Sequence, residues 1–207
     1  MAISIHDART PGRPRDPGVT DRALAAARSV YAERGWAGFS LDQVARKSGL
    51  GKGSLYLRWP DRGALLLDAI QSQALTVSSV DTGSLRGDLL EFSHRWFRYR
   101  SSEAWVLQAR LALDALSSPE LKTAVERDLY PAPVKSTRAL VRRGIERGDI
   151  PADSSTALIA NLVAGAVETF VSTTSEELRR TIDTDAYIEL IVDTVLAGVS
   201  STPSRRA

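Results

Sequence analysis

Gly49 and Gly51 divide the stretch SLDQVARKSGLGKGSLYLRW (Ser40 to Trp59) into two short helical segments, and this division constrains the rest of the chain. Ser40 is a good N-cap, and Gln43 stands three residues on, the spacing of a capping box. Leu41, Val44 and Ala45 then fall on one helical face. Gly49 is placed to take the left-handed conformation that ends a helix, with Leu50 folding back onto the apolar face in a Schellman close. Gly51 opens the second segment, in which Leu55 and Trp59 point inward together. Lys52, Ser54, Tyr56, Leu57 and Arg58 are left to the outer face and its flanks. A bracing helix followed by a short polar helix on an apolar anchor is what a helix-turn-helix requires, the second helix entering the DNA major groove.

Chemistry assigns a contact to each outward residue. Lys52 is a mobile cation suited to phosphate. The hydroxyls of Ser54 and Tyr56 can bond phosphate or base edges. Arg58 suits bidentate readout of guanine, worth ~1–3 kcal/mol of discrimination, and Leu57 suits a thymine methyl. Gly53 permits close approach of the backbone to DNA. Ser40 and Arg62 stand where both reach phosphates. The plainer alternative is a solvated polar helix face.

The flanking sequence suits such a head. Residues 1–70 hold 11 Lys/Arg against 7 Asp/Glu, a balance of +4 inside a chain whose net charge is +2. One basic end on a slightly acidic body suits an end facing phosphate. Residues 1–19, rich in Pro, Gly and Arg, are expected to form a flexible basic arm. Its Arg13 and Arg15 are candidates for an A·T-rich minor groove; the alternative is a solubilising tail. A first helix is expected from Asp21 to Arg34, capped by Thr20, with Leu24, Ala27, Val30 and Tyr31 inward and Gly35 at its end. Trp36 and Phe39 are read as packing residues of the small domain.

Taken together, residues from about Asp21 to Ile70 resemble the DNA-binding domain of the TetR family of bacterial transcriptional regulators. The resemblance is carried by Ala26, Tyr31, Gly35-Trp36, Phe39-Ser40, Val44-Ala45, Ser48-Gly49-Leu50, Lys52-Gly53-Ser54-Leu55-Tyr56, Trp59-Pro60 and Ala64-Leu65-Leu66. It implies a tyrosine at position 56 that touches the DNA backbone, a fourth helix linking head to body, and a homodimer. Two departures stand out. Leu57 and Arg58 occupy positions where many members carry an aromatic residue or a histidine, so no operator sequence transfers. Gly63 stands where relatives often carry Glu.

Beyond the head, no strand-like alternation occurs and the expected class is all-α. The domain reading is an arm at 1–19, a helix-turn-helix domain at 20–77, an effector-binding and dimerisation body at 84–200, and a flexible tail at 201–207. The fourth helix, started by Pro60 and Asp61, is expected to run to about Val77, and the serine-rich turn Ser78–Ser84 to follow it. Body helices are expected at about 84–100, 102–116, 118–147 with interruptions at Pro131 and Pro133, 153–173 and 185–199. The last two carry more apolar surface than one chain of this size covers. They are therefore read as pairing with their copies in a four-helix bundle. Leu158, Leu162, Gly165, Ala166, Phe170, Ile188, Ile191, Val192 and Val195 are the candidate interface residues. A cluster of rings between head and interface suits a small-molecule cavity. Its candidate effector-binding residues are Trp96, Trp105 and Arg110, with Phe92, Tyr99 and His94 beside them.

Other function classes find little support. There is no cysteine, so disulfides and thiolate metal sites are excluded. The only histidines are His6 and His94, which leaves no triad or metal-ligand spacing, and no cofactor is expected. No apolar run is read as long enough to cross a bilayer, and the N-terminus lacks the core of a signal peptide, so the expected location is cytoplasmic. The chain is thus expected to be a sequence-specific DNA-binding regulator. It is read as a repressor released by a small-molecule effector and acting as a homodimer on a near-palindromic operator. The alternatives are an activator or ligand-independent regulator, or a helical ligand-binding or enzymatic protein with a vestigial DNA head.

Overall fold

The computed structural model describes residues 17–74, 79–129 and 131–201, and every element in them is helical. The head comprises α1 (Pro17–Gly38), α2 (Leu41–Ser48), α3 (Lys52–Tyr56) and α4 (Arg62–Gln71). Helix α1 begins at Pro17, earlier than expected, so residues 17–19 belong to the head and not to an arm. Proline loses nothing at a first helical position, because its missing N–H would be unpaired there anyway. Arg13 and Arg15 lie outside the described residues. Gly35, at φ 63°, breaks α1 where the sequence places its end, and one further turn follows it.

Local chemistry sets the other boundaries of the head. Ser40 Oγ accepts the Gln43 N–H at 3.3 Å, but the return half of the capping box is missing: Gln43 Oε1 is buried without a partner among the described residues. Gly49 sits at φ 68° and the Leu50 N–H reaches the Ala45 carbonyl at 3.2 Å, the expected Schellman close. Asp61 caps α4 by accepting the Ala64 N–H at 2.8 Å. Helix α4 ends at Gln71, short of the expected extent, and Leu75–Val77 lie outside the described residues.

The body comprises α5 (Leu85–Arg100), α6 (Glu103–Leu116), α7 (Pro119–Ala124), a π-helical turn (Val125–Leu129), α8 (Pro131–Arg147), α9 (Thr156–Thr173), α10 (Glu176–Arg179) and α11 (Thr184–Ser201). Ser84, Ser102, Ser118 and Ser155 each cap the helix that follows. The interruption expected at Pro131 and Pro133 falls before them instead. Each proline ring would clash with the carbonyl four residues back, which widens that turn to π geometry, while the first turn of α8 tolerates both. The short α10 has no counterpart among the helices expected from sequence.

Two cores organise the packing. The first joins Tyr31, Phe39, Leu55 and Leu65 of the head to Leu111, Ala115, Leu121, Val125 and Leu129 of the body. The second joins Leu85, Leu89 and Phe92 to Leu140, Ile159, Val163 and Val192. Head and lower body therefore share one apolar interior, with α4, α6 and α7 in mutual contact. Helix α9 is long and apolar enough to cross a membrane by composition, which amends the expectation from sequence. In the fold its inward face packs on α5, α8 and α11.

Candidate nucleic-acid interface and candidate effector cavity

Leu55 and Trp59 anchor the second segment of the head, with Leu55 fully buried and the Trp59 Nε1–H donating to Asp68 at 2.9 Å. With the anchor fixed, α3 turns Lys52 and Gly53 to solvent. Tyr56 is 54% exposed and Leu57 86%, so both are open to contact on the outer side of the segment. A Cβ added at Gly53 would meet nothing within 4 Å, so its value is outward clearance and not internal fit. Arg58 folds back along its own helix, its Nη1 donating to the Ser54 carbonyl and Oγ, both at 3.0 Å. Lys52 Nζ lies 2.5 Å from Asp42 of α2, and Lys47 pairs with Glu33 of α1. Cations on this face thus stand in exposed, exchangeable pairs.

Arg62 is placed differently from the expectation. Its Nη1 donates to the carbonyls of Trp36 (3.3 Å) and Phe39 (3.2 Å), its guanidinium lies 3.9 Å from the Trp36 ring centroid, and Nη2 is 3.6 Å from Glu120 of α7. Five donors in a planar fork suit this task of tying a chain reversal to its neighbours. These bonds hold the side chain, 37% exposed, between head and body, so in this structure Arg62 acts as a brace and is not extended toward a phosphate.

Arg110 is corrected as well. It does not line the aromatic cavity. Its Nη1 donates to the Ala32 carbonyl at 2.7 Å, and a Cβ at Gly35 would stand 2.5 Å from its Nη2. Gly35 is favoured by its positive φ, and a side chain there would also have to displace the Arg110 guanidinium. Four residues on, Asp114 accepts the Tyr31 hydroxyl and the Trp36 N–H. Burial first, and then the bond to Asp114, push the Tyr31 phenol well above its ordinary range. Periodicity gives no sign of this joint, because its partners lie far apart in sequence.

The ring cluster splits in two. Phe92, Trp96, Tyr99 and Trp105 surround a cavity of about 280 Å³, together with Gln108, Val134, Thr137, Arg138, Ala160, Asn161 and Ala164. Trp96 stacks between Phe92 (6.4 Å) and Tyr99 (5.8 Å), and Trp105 stands edge-on to Trp96 at 5.8 Å. The Tyr99 hydroxyl bonds Gln108, and burial pushes its pKa up to about 12 against the lowering effect of Arg100. Phe97 instead stacks on Phe170, which packs on Tyr187 at 4.4 Å. His94 is also outside the cavity lining, 3.5 Å from Asp185 of α11. A larger crevice of about 490 Å³ opens at the joint, but its Arg62 faces Glu120 and its Arg127 is paired with Asp128.

The candidate interface residues fall into two groups. Leu158 (57% exposed), Leu162 (48%) and Gly165 lie open on α9, and Ala166 and Val195 are half-buried. Ile188 and Val192 are fully buried within the chain, and Phe170 and Ile191 nearly so. These four are corrected to internal packing residues of α9 and α11. Leu190, 62% exposed, takes their place on the open face.

A helix-turn-helix head seated on a helical body with a ring-lined cavity is the build of a DNA-binding transcriptional regulator. Residues 23–69 match the family described as "Bacterial regulatory proteins, tetR family", and residues 79–195 match "Tetracyclin repressor-like, C-terminal domain". The DNA-binding transcriptional repressor TetR of Mycobacteroides abscessus is 30% identical over 179 residues, covering 84% of this chain and 89% of that one. The TetR family regulator SCO0332 has a similar structure, with a TM-score of 0.63, 26% identity, and coverage of 89% of this chain and 99% of that one. FadR from Bacillus subtilis, solved with stearoyl-CoA, shares the fold at 16% identity and a TM-score of 0.62, over 86% of this chain and 98% of that one. The chain belongs to the TetR family and is a DNA-binding transcriptional regulator.

Proposed function

We propose that this chain is a homodimeric repressor that leaves a near-palindromic operator when a small molecule fills the aromatic cavity. One observation carries the effector half of this proposal. Helix α6 lines the cavity with Trp105 and Gln108 and, within the next two turns, holds the head through Arg110 and Asp114. Gln108 and Asp114 are about 9 Å apart along a single helix, at 1.5 Å per residue. A ligand that shifts Trp105 thereby shifts the anchor of α1. If the ligand binds better to bodies that hold the heads badly spaced, DNA affinity falls.

In the DNA complex Lys52 and Ser40 meet phosphates, Tyr56 meets the backbone, and Arg58 leaves Ser54 to read a base. The open leucines of α9 and α11 meet their copies across a two-fold axis. Small-molecule binding by FadR and repression by the Mycobacteroides relative agree with this scheme.

The test is selection of bound duplexes from random DNA by the purified protein, with sedimentation equilibrium in parallel. An inverted repeat bound by two chains is expected. A chain that remains monomeric at micromolar concentration, or that ignores every duplex at low salt, overturns the proposal.

A further inference from the structure

We infer that the aromatic cavity is built for a flat, ring-bearing molecule with one anionic group, which Arg138 receives. This inference rests on the effector-release proposal and adds the chemical class of the effector.

The walls set the shape. Phe92, Trp96 and Tyr99 present stacked faces, and Trp105 stands at 76° to Trp96 and 78° to Tyr99. These four rings line the cavity, so a guest ring meets aromatic surface there, and offset or edge-on contacts are the geometries such pairs favour. A volume of about 280 Å³ lies at the small end of ligand cavities, with room for about two fused rings and not for a long acyl chain.

Charge supplies the second half. Arg138 is the one charged side chain among the described residues lining the cavity, and no carboxylate lines it. Among the described residues the Arg138 side chain has no ion pair or hydrogen bond, and neither do those of Lys135 and Arg142, about one helical turn to either side of it on α8. All three are exposed. Like charges at these spacings make an unfavourable contribution to the helix. An anion at the cavity mouth reverses that sign. Behind Trp105, the guanidinium of Arg100 lies 3.6 Å from the ring centroid, with Nε and Nη1 buried and unpartnered. Its other end is held by Ser172 at 2.7 Å, with Glu168 at 3.4 Å. Asn161, in the lining, offers a donor and an acceptor to a carbonyl or hydroxyl on the guest.

Isothermal titration calorimetry on the full chain tests this with 2-naphthoate, 2-naphthyl phosphate and neutral 2-naphthol. At least one anion should bind tenfold or more tighter than 2-naphthol, and the stronger of the two identifies carboxylate or phosphate as the natural group. Arg138→Gln should remove that advantage, and Arg138→Lys should restore most of it. Ala164→Phe, which fills the cavity, should abolish binding of all three. Equal binding of anions and 2-naphthol, with no effect of Arg138→Gln, overturns the inference and leaves the cavity as an effector site. Anion binding that survives Ala164→Phe places the anion on the surface and also overturns it. If none of the three binds, the inference falls, while the effector reading beneath it stands or falls with operator release by small molecules of other classes.

Discussion

A single carboxylate oxygen, Asp114 Oδ2 on α6, accepts both the Tyr31 hydroxyl at 2.7 Å and the Trp36 N–H at 3.2 Å. The first partner lies in the middle of α1 and the second just past its break at Gly35. Body and recognition head are thereby tied at one atom, against a phenol that is fully buried. Removing the acceptor strands two donors. Asp114→Ala should cost about 2 kcal/mol, since an unsatisfied buried polar group costs ~1–3 kcal/mol. Tyr31→Phe should cost less, because it removes the donor together with the bond. In urea denaturation the double variant should show a coupling energy of about 1 kcal/mol. Additive losses would mean that the two side chains do not act as a unit.

Arg62→Ala separates bracing from DNA binding. The guanidinium holds two carbonyls and a tryptophan face, so its removal should lower the melting temperature of the protein. The slope of log affinity against log salt should stay at the parent value, because Arg62 neutralises no phosphate. A shallower slope would restore Arg62 to the phosphate-binding set.

Lys52→Ala should behave in the opposite way. Its pair with Asp42 is exposed on both sides and contributes little to stability. On DNA the lysine exchanges Asp42 for phosphate, so the salt slope should fall by about 0.9 for each phosphate no longer neutralised, across all duplex sequences. Arg58→Ala should instead cost ~1–3 kcal/mol on the preferred site and little on unrelated duplex. Equal weakening on both would assign Arg58 to the backbone.

The parts of this molecule that are legible in its sequence are those decided within a few residues. Ser40, Gly49, Leu55 and Trp59 obey capping and periodicity rules that need no knowledge of the rest of the chain. Arg62, Arg110 and Asp114 are misread or unassigned from sequence because their partners lie across the fold. A cation beside a ring-rich segment looks the same from sequence whether it faces a cavity or a carbonyl. Arg138 escapes notice for the converse reason: an arginine on a basic helix face carries no mark of the cavity beneath it. On α9 and α11 apolar residues occur on more than one face. Composition alone does not decide that Ile188 turns inward and Leu190 outward.

Asp88 makes stability depend on pH in a direction its surroundings fix. The residue is fully buried near the start of α5. It accepts the Thr82 N–H at 2.6 Å, the Thr82 hydroxyl at 2.9 Å, and Arg147 Nη1 at 3.1 Å, while Arg143 lies 3.6 Å away. Burial pushes the carboxyl upward, but the two bonds from Thr82 and the guanidinium of Arg147 outweigh it and hold Asp88 below the ordinary range. A depressed carboxyl contributes stability above its unfolded pKa, near 4, and loses it as pH falls through the folded value. The unfolding free energy should therefore drop as the pH is lowered from about 4, by at most ~1.4 kcal/mol per pH unit from this group. Asp88→Asn should reduce that dependence by up to one proton while lowering stability at neutral pH, because Arg147 loses its buried partner. Urea titrations between about pH 3 and 7 read both quantities. The same carboxylate fastens the loop before α5 to the end of α8, with Arg147 also reaching Asp81 at 2.8 Å. At low pH the protein should therefore loosen first where the chain passes from head to body, which hydrogen exchange at Val80 and Leu85 would register. Exchange that is unchanged there, with an unaltered acid slope, would remove Asp88 from the control of this junction.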